Sequence, residues 1–178
     1  MEEKLRSTKV HGLYYGLPTG AGLVVLSLIL FLIDQLMNRW LSSISYLILI
    51  VGMVYGAYEY RRLFMKGYIT YGEAFSACLW IGLIASLVAS VYTFIFAQFI
   101  DPAFVQQILD QSREKMIAQN PNMTEEQIEV GMTWAARFTS PVMMMIFGFI
   151  VNAVISVVIG LIAAIFLKKE DPSLNSTI

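Results

Sequence analysis

Residues 139–167 read TSPVMMMIFGFIVNAVISVVIGLIAAIFL and contain no Asp, Glu, Lys or Arg. Three further windows of the 178-residue chain are equally free of these residues: 13–33, 41–58 and 74–100. A helix needs about 20 apolar residues to cross a hydrocarbon core about 30 Å thick, and a charge at its centre costs about 2.5–3.5 kcal/mol. Each window reaches or nearly reaches that length. The sequence therefore predicts four transmembrane helices over these windows.

The composition agrees with a lipid environment. Apolar residues make up 57% of the chain and charged residues 14%, with a net charge of −1. Soluble domains carry about 25% charged residues, so too little polar sequence remains here to cover four apolar helices in water. The absence of a basic excess excludes a nucleic-acid-binding protein. The single cysteine, Cys78, excludes an intramolecular disulfide, and its apolar neighbours favour an inert packing residue.

Lysine and arginine are unequally divided among the segments that connect the windows. The N-terminal tail, the 59–73 connection and the C-terminal tail carry eight of them, whereas the 34–40 and 101–138 connections carry four. Loops rich in Lys and Arg stay in the cytoplasm. The sequence therefore predicts that both termini are cytoplasmic.

The only long polar stretch is 101–138, in which apolar residues recur at helical spacing. Asp101-Pro102 is typical of a helix start, and Asn120-Pro121-Asn122 interrupts the helix. Thr124 and Gln127 then have the spacing of a capping box. We expect a helical hairpin outside the cytoplasm. It either caps the bundle or lies in the lipid interface, which we favour, or it docks an extracytoplasmic partner.

Small residues recur every four positions in each window, which keeps each set on one face of its helix. Such residues let helix backbones approach closely inside a membrane. The predicted helix-packing positions are Gly16, Gly20, Gly52, Gly56, Gly82, Gly148 and Gly160. We expect a compact bundle, and the same seams are suited to a homo-oligomer or to a membrane partner protein.

A few polar residues fall within the third and fourth windows. The candidate intramembrane polar positions are Asn152, Ser156, Ser86 and Ser90. We favour a hydrogen bond from Asn152 to the third helix, of a kind that contributes about 0.6 kcal/mol on average. The alternative is that Asn152 lines a pathway for a solute or an ion.

Ionisable residues near the window borders are few. Thr70 and Glu73 have capping-box spacing and are expected to start the third helix at the membrane interface. The lone His11 has no Cys, Asp or second His at ligand spacing, so no metal site is predicted. A membrane-embedded enzyme would have only His11, Glu59 and Glu73 to use on the cytoplasmic side. Because no nucleophile, phosphate-loop or dinucleotide motif is present either, we expect no enzymatic activity and no cofactor.

The connection before the third helix resembles a known family. Residues 66–75, KGYITYGEAF, look like the signature segment of the domain-of-unknown-function 4199 family of bacterial membrane proteins. The similarity extends to Tyr15-Gly16-Leu17, Ile100-Asp101-Pro102 and Ser140-Pro141, and covers about residues 10–169. The family has no assigned activity, substrate or catalytic residues. The resemblance therefore implies about four helices and a Gram-negative inner-membrane location, and it implies no mechanism.

Taken together, these observations predict an all-α polytopic membrane protein with a single membrane domain over 1–178. It has four transmembrane helices and an extracytoplasmic helical hairpin, and the lipid bilayer is its first partner. We expect a non-enzymatic accessory or regulatory subunit. The alternative is a small transporter or channel component with a path near Asn152.

Overall fold

The computed structural model describes residues 2–169, with side chains from Thr8 onward except that of Arg39. The described residues form helices α1 (Glu2–Leu32), α2 (Arg39–Ser42), α3 (Ile44–Phe64), α4 (Tyr71–Ile95), α5 (Ala103–Gln119), α6 (Glu125–Phe138) and α7 (Pro141–Leu167), with a π-helical turn at Phe96–Ile100. The predicted all-α fold is confirmed.

Four stretches of the described chain are long and apolar enough to cross a membrane: Thr8–Leu32, Trp40–Phe64, Tyr71–Ile100 and Pro141–Leu167. The four spanning helices predicted from the charge-free windows are therefore confirmed as candidates in number and order. The first begins before residue 13, and the second continues past 58. Lys9 and Arg61 lie in these added ends, and each cation lies over an aromatic ring, that of Trp80 at 5.2 Å and that of Tyr58 at 5.0 Å.

The chain divides into two compact units. The first unit contains the residues up to Ala89 together with those from Ile150 onward, and the second is Ser90–Phe149. A division by packing does not test whether either unit folds alone, so the single membrane domain stays a prediction.

Helix α4 lies at the centre of the first unit. Its inward positions are fully buried and mostly small: Ala74, Ala77, Cys78, Ile81, Ala85 and Ser86. Side chains of this size allow neighbouring backbones to come close without a gap. The burial of Cys78 agrees with its predicted role as a packing residue.

Helices α1 and α3 form an antiparallel hairpin in the first unit. Asp34 takes the left-handed conformation (φ 56°) directly after α1, and the Gln35 N–H donates to the Leu30 carbonyl at 2.8 Å. This is the arrangement of a Schellman turn, which ends a helix and satisfies its last carbonyls. Pro18 lies inside α1.

The end of α7 is held to the connection between α3 and α4. Ile69 and Lys169 exchange two backbone hydrogen bonds of 2.9 Å as an isolated antiparallel bridge. The Arg61 guanidinium donates to the Leu167 carbonyl at 3.0 Å, where a cation also complements the helix dipole. This end of the first unit is therefore closed by contacts that do not depend on lipid.

The second unit contains the hairpin of α5 and α6. Its predicted capping box is confirmed, because Thr124 and Gln127 each bind the other's backbone N–H. The start of α5 was predicted one residue too early. Pro102 is the N-cap, and Asp101 is the C-cap of the preceding π-helical turn, where its N–H donates to the Phe96 carbonyl at 2.8 Å.

Candidate functional site

The glycines of α1 face α4 in the first unit. A Cβ added at Gly16 would lie 2.7 Å from Ile84 Cβ and 2.9 Å from the Ile81 carbonyl oxygen. A Cβ added at Gly20 would lie 2.7 Å from Val88 Cβ. Real Cβ atoms do not approach that closely, so α1 and α4 lie at a distance that only glycine permits at these positions.

The predicted glycines of α3 also lie against other helices. Gly52 faces the Thr19 side chain of α1, and a Cβ added at Gly56 would lie 2.9 Å from Tyr15 Cβ. The spacing of four that relates Gly52 to Gly56 therefore matches the spacing from Tyr15 to Thr19 on the opposing helix.

Glycines on α4 and α7 differ from one another in how tightly they are packed. A Cβ added at Gly82 would lie 2.6 Å from the Ser156 side chain, whereas one at Gly160 would make ordinary contacts of 3.4 Å with Cys78 and Phe75. A Cβ at Gly148 would meet no atom of the described chain within 4 Å. Close packing among the described residues therefore does not require a glycine at 148, and its role in a helix seam stays a prediction.

The intramembrane serines point their hydroxyl protons at their own helices. Ser86 donates to the Gly82 carbonyl at 2.7 Å, and Ser156 donates to the Asn152 carbonyl at 2.8 Å. Ser86, Ser90 and Ser156 are buried, and Asn152 is partly buried. A hydroxyl that binds the carbonyl four residues before it satisfies its donor without a partner helix. The hydrogen bond from the Asn152 side chain to α4 stays a prediction.

Thr70 and Glu73 make the reciprocal bonds of a capping box at the start of α4. The Thr70 N–H donates to Glu73 Oε2 at 3.1 Å, and the Glu73 N–H donates to Thr70 Oγ1 at 3.4 Å. The Thr70 hydroxyl also donates to Glu73 Oε2 at 2.9 Å. These bonds assign both residues to helix capping, and their position at a membrane interface stays a prediction.

A buried polar cluster around His11 was not predicted as a site. The Thr8 hydroxyl and the Tyr60 hydroxyl lie 2.8 Å apart, and His11 Nε2 donates to the Gly56 carbonyl at 2.8 Å. Thr8, His11, Glu59 and Tyr60 are all buried. Polar groups at this depth require hydrogen-bond partners, and the facing backbones of α1 and α3 place those partners.

Aromatic rings enclose the His11 imidazole. The centroids of Tyr15, Tyr60 and Phe64 lie 4.6 Å, 5.1 Å and 5.5 Å from that of the imidazole. Glu59, on the next turn of α3 after Gly56, pairs with Arg62 across 3.2 Å. The cluster therefore combines an imidazole enclosed by aromatic rings with a buried carboxylate whose cationic partner, Arg62, is exposed.

The sequence contained a usable signal for this cluster. The spacing from Gly56 to Glu59 and Tyr60 is helical, and so is the spacing from Thr8 to His11 and Tyr15. Taken one helix at a time, His11 and Glu59 are isolated ionisable residues near the window borders. Their proximity depends on the register between α1 and α3, which a single helix does not reveal.

The cluster does not provide a metal centre. Among the side chains that the structure describes, no group of three or more His, Cys, Asp or Glu residues is placed to hold a metal ion. Glu73 is used as a helix cap and His11 as a donor to a carbonyl, so each binds within the fold.

Comparison with known proteins identifies the family but no function. A family model described as "Protein of unknown function (DUF4199)" matches residues 14–169. The chain belongs to the DUF4199 family. This confirms the resemblance seen in residues 66–75. No curated protein and no solved structure matches the chain.

The DUF4199 match covers both compact units and nearly all of the helices. It brings no activity with it, so the role of this DUF4199 protein must be argued from its side chains. Their arrangement can close a helical bundle and join the ends of α3 and α7 at one end of the first unit. Thr8, His11, Glu59, Thr70, Glu73, Ser86 and Ser156 each bind a partner within the chain.

Proposed function

We propose that this DUF4199 protein is a non-enzymatic accessory subunit of the bacterial inner membrane. In this role the first unit is a rigid anchor that packs against a second copy or against another membrane protein. Asn152 then contributes to helix packing. The chain acts by holding its partner protein in the membrane.

The observation that carries the proposal is the use of the ionisable groups. The three residues available for chemistry near one end of the first unit are His11, Glu59 and Glu73. His11 binds the Gly56 carbonyl, Glu59 pairs with Arg62, and Glu73 caps α4. A general acid or base needs a proton-transfer geometry toward a substrate, and these three side chains are directed at partners in the fold.

The polar groups within the spans support the same role. Thr19, Ser86 and Ser156 each donate to the carbonyl four residues earlier in the same helix, at 2.7 Å to 2.8 Å. Side chains that line a solute path usually present their polar atoms to a cavity or to each other. Local hydrogen bonds of this kind instead favour a packed interior.

The proposed orientation rests on the basic residues of the first unit. The Ile69–Lys169 bridge and the Arg61–Leu167 bond hold the end of α3, the start of α4 and the end of α7 together. The basic residues of these segments therefore share one end of the unit. The bias of Lys and Arg toward cytoplasmic loops favours placing that end, with both termini, in the cytoplasm.

Cysteine labelling tests the orientation. In a Cys78→Ser background, Asn122→Cys in the hairpin turn is expected to react with a membrane-impermeant maleimide in intact spheroplasts. Gly72→Cys is the matched control, because Gly72 is exposed and a Cβ there meets no atom of the described chain within 4 Å. Gly72→Cys is expected to react only after lysis. The reverse pattern would contradict the proposed topology.

Site-specific photocrosslinking in cells tests the proposed role. A photoreactive amino acid at Val154 or Val158, both exposed on α7, is expected to give a discrete protein adduct, either a dimer or one second membrane protein. Ser156 lies between them in sequence and is buried, so the same amino acid there serves as the negative control.

Reconstitution in liposomes tests whether the chain carries a solute, which would contradict the subunit role. The purified chain in liposomes is expected to leave solute permeability unchanged. The subunit role would be wrong if the chain alone carried a solute flux that Asn152→Leu abolished while the protein remained folded. That result would favour the transporter alternative.

A further inference from the structure

We propose that α6 lies in the membrane–water interface, with the stripe Val130, Trp134 and Phe138 inserted among the lipids. The inference concerns the second unit alone and does not depend on the role proposed above. It names the occupant of an uncovered helix face, which is a lipid surface.

The stripe is large, apolar and uncovered. Val130, Trp134 and Phe138 are 56%, 55% and 53% exposed. They are four residues apart, so they form one continuous row along the helix. An exposed apolar row of this length is favourable where an apolar phase, and not water, covers it.

The side of α6 opposite the stripe and the flank beside it at Gly131 face α5 within the second unit. A Cβ added at Gly131 would lie 2.9 Å from the Met116 methyl carbon of α5. Arg113 of α5 lines a crevice with Glu125 and Glu129 of α6. At 3.6 residues per turn, Glu125 and Glu129 lie about 180° and about 140° around the helix from Trp134. The carboxylates therefore face away from the stripe.

The stripe continues onto a surface that faces lipid. The rings of Phe138 and Phe147 meet edge to face with centroids 5.7 Å apart, and Phe147 is itself exposed. Phe147 belongs to α7, whose candidate span begins at Pro141, shortly after α6 ends at Phe138. The C-terminal end of α6 is therefore at the border of the hydrocarbon region, and an acyl environment extends from α7 to the stripe.

A cation at the edge of the stripe supports this placement. The Arg137 guanidinium lies over the Trp134 ring at 5.6 Å. Indole rings are enriched at membrane interfaces, and arginine keeps its charged head in the polar layer while its stem covers apolar surface. Trp134 and Arg137 together match the depth of the headgroup–acyl boundary.

The charge of the hairpin specifies the kind of lipid surface. Residues 101–138 contain six acidic and three basic residues. Such a segment gains no electrostatic attraction from anionic headgroups, so the contact depends on apolar area. We therefore expect the stripe to enter a zwitterionic bilayer as readily as an anionic one.

Tryptophan fluorescence tests the inference. The chain has three tryptophans, so Trp40→Phe together with Trp80→Phe leaves Trp134 as the only indole. The variant is reconstituted in phosphatidylcholine nanodiscs with or without bromine on the upper acyl chain. We expect brominated lipid to reduce Trp134 emission, a blue-shifted maximum, and little quenching by aqueous acrylamide. Replacing part of the phosphatidylcholine with phosphatidylglycerol is expected to leave the lipid quenching unchanged.

A matched control places the indole on the other side of the same turn. In the same background, Trp134→Phe with Ala136→Trp moves the reporter by two residues to an exposed position about 160° around the helix. That reporter is expected to be quenched by acrylamide and little by brominated lipid. Equal lipid quenching at both positions would overturn the oriented insertion of the stripe.

Two other outcomes overturn the inference. Trp134 quenched by acrylamide and not by brominated lipid would place the stripe in water. Trp134 protected from both quenchers in the purified protein would place it against protein, either this chain or a second copy. If the tryptophan background does not fold, a spin label at Val130→Cys in the Cys78→Ser background gives the same decision. If the stripe is inserted, the spin label collides more often with oxygen than with a water-soluble nickel chelate. The reverse ratio would overturn the inference.

Discussion

The two compact units of this DUF4199 protein use periodic apolar sequence in opposite ways. In the first unit the periodic residues are small, and α4 is closely surrounded by α1, α3 and α7. In the second unit the periodic residues of α5 and α6 are large, and none of the described residues of these two helices is buried. A helical period alone therefore does not say whether a face will be covered.

The size of the side chains explains the difference. Glycine and alanine let two backbones approach until their own atoms are in contact, which completes the burial of both. Large side chains such as Met116 and Met132 hold helices further apart and leave their other faces for a different environment. In a membrane protein, lipid can supply that environment without any protein partner.

The largest effect is expected from Gly16→Ala in the first unit. The added Cβ would lie 2.7 Å from Ile84 Cβ and 2.9 Å from the Ile81 carbonyl, so the helices must separate. We expect a loss of about 2 kcal/mol in the free energy of unfolding, as for other overpacked sites. Reversible unfolding in mixed detergent micelles measures it.

Gly148→Ala is the matched control, since a Cβ at 148 meets no described atom within 4 Å. Alanine favours a helix by up to about 1 kcal/mol over glycine. The free energy of unfolding of Gly148→Ala should therefore stay unchanged or rise. Similar losses at both glycines would remove the distinction between close and open glycines.

The next largest effect is expected from Tyr60→Phe in the buried polar cluster. The substitution keeps the ring and removes the 2.8 Å hydrogen bond with Thr8. We expect a loss of about 1.5 kcal/mol in the free energy of unfolding, because both groups are buried. Tyr58→Phe, at an exposed position of the same helix, should cost much less. A Tyr60→Phe protein as stable as the wild type would show that the cluster is not part of what closes this unit.

A smaller and local effect is expected in the second unit from Thr124→Ala. Loss of an N-cap costs about 1 kcal/mol of helix stability. Hydrogen exchange in the first turn of α6 should accelerate, while exchange in α4 should not change. Thr133→Ala, in the middle of α6, is the control and should leave the first turn protected. Faster exchange throughout α4 would show that the two units open together.

The smallest effect is expected from Val154→Leu on α7. Val154 is 58% exposed on the face proposed above to meet a partner, and a single chain unfolding in detergent micelles has only detergent against that face. A change of one apolar side chain for another at such a site should shift the free energy of unfolding by less than about 0.5 kcal/mol. A larger loss would indicate that Val154 contacts protein, either a second copy or a partner subunit.

Much of the fold could be predicted from local sequence. The charge-free windows gave the four candidate spans, because a charge near the centre of a spanning helix is costly. Thr124 with Gln127 gave the start of α6, because both halves of a capping box lie within one turn. The contact of Lys9 with the Trp80 ring could not be predicted in this way, because the two residues are distant in sequence.

The candidate site was predicted less well. The glycines were recognised as one-sided stripes, but the sequence offered no way to see that Gly56 faces Tyr15 or that Gly148 faces open space. The His11 cluster was missed for the same reason. The hydrogen bond from His11 to the Gly56 carbonyl and the one between Thr8 and Tyr60 both join α1 to α3. The register of these two helices is set by their packing.

Three features of this protein follow from its local sequence: the avoidance of charge over more than half of the chain, the positions of the turns and the spacing of the small residues. They are properties of short segments, because each depends on a residue's own chemistry and on its neighbours along one helix. Three others required the folded chain: the central place of α4 in the first unit, the glycines that lie against a neighbour, and the exposure of Val130, Trp134 and Phe138. Those outcomes depend on which distant segments approach each other, because burial belongs to pairs of surfaces and not to single residues.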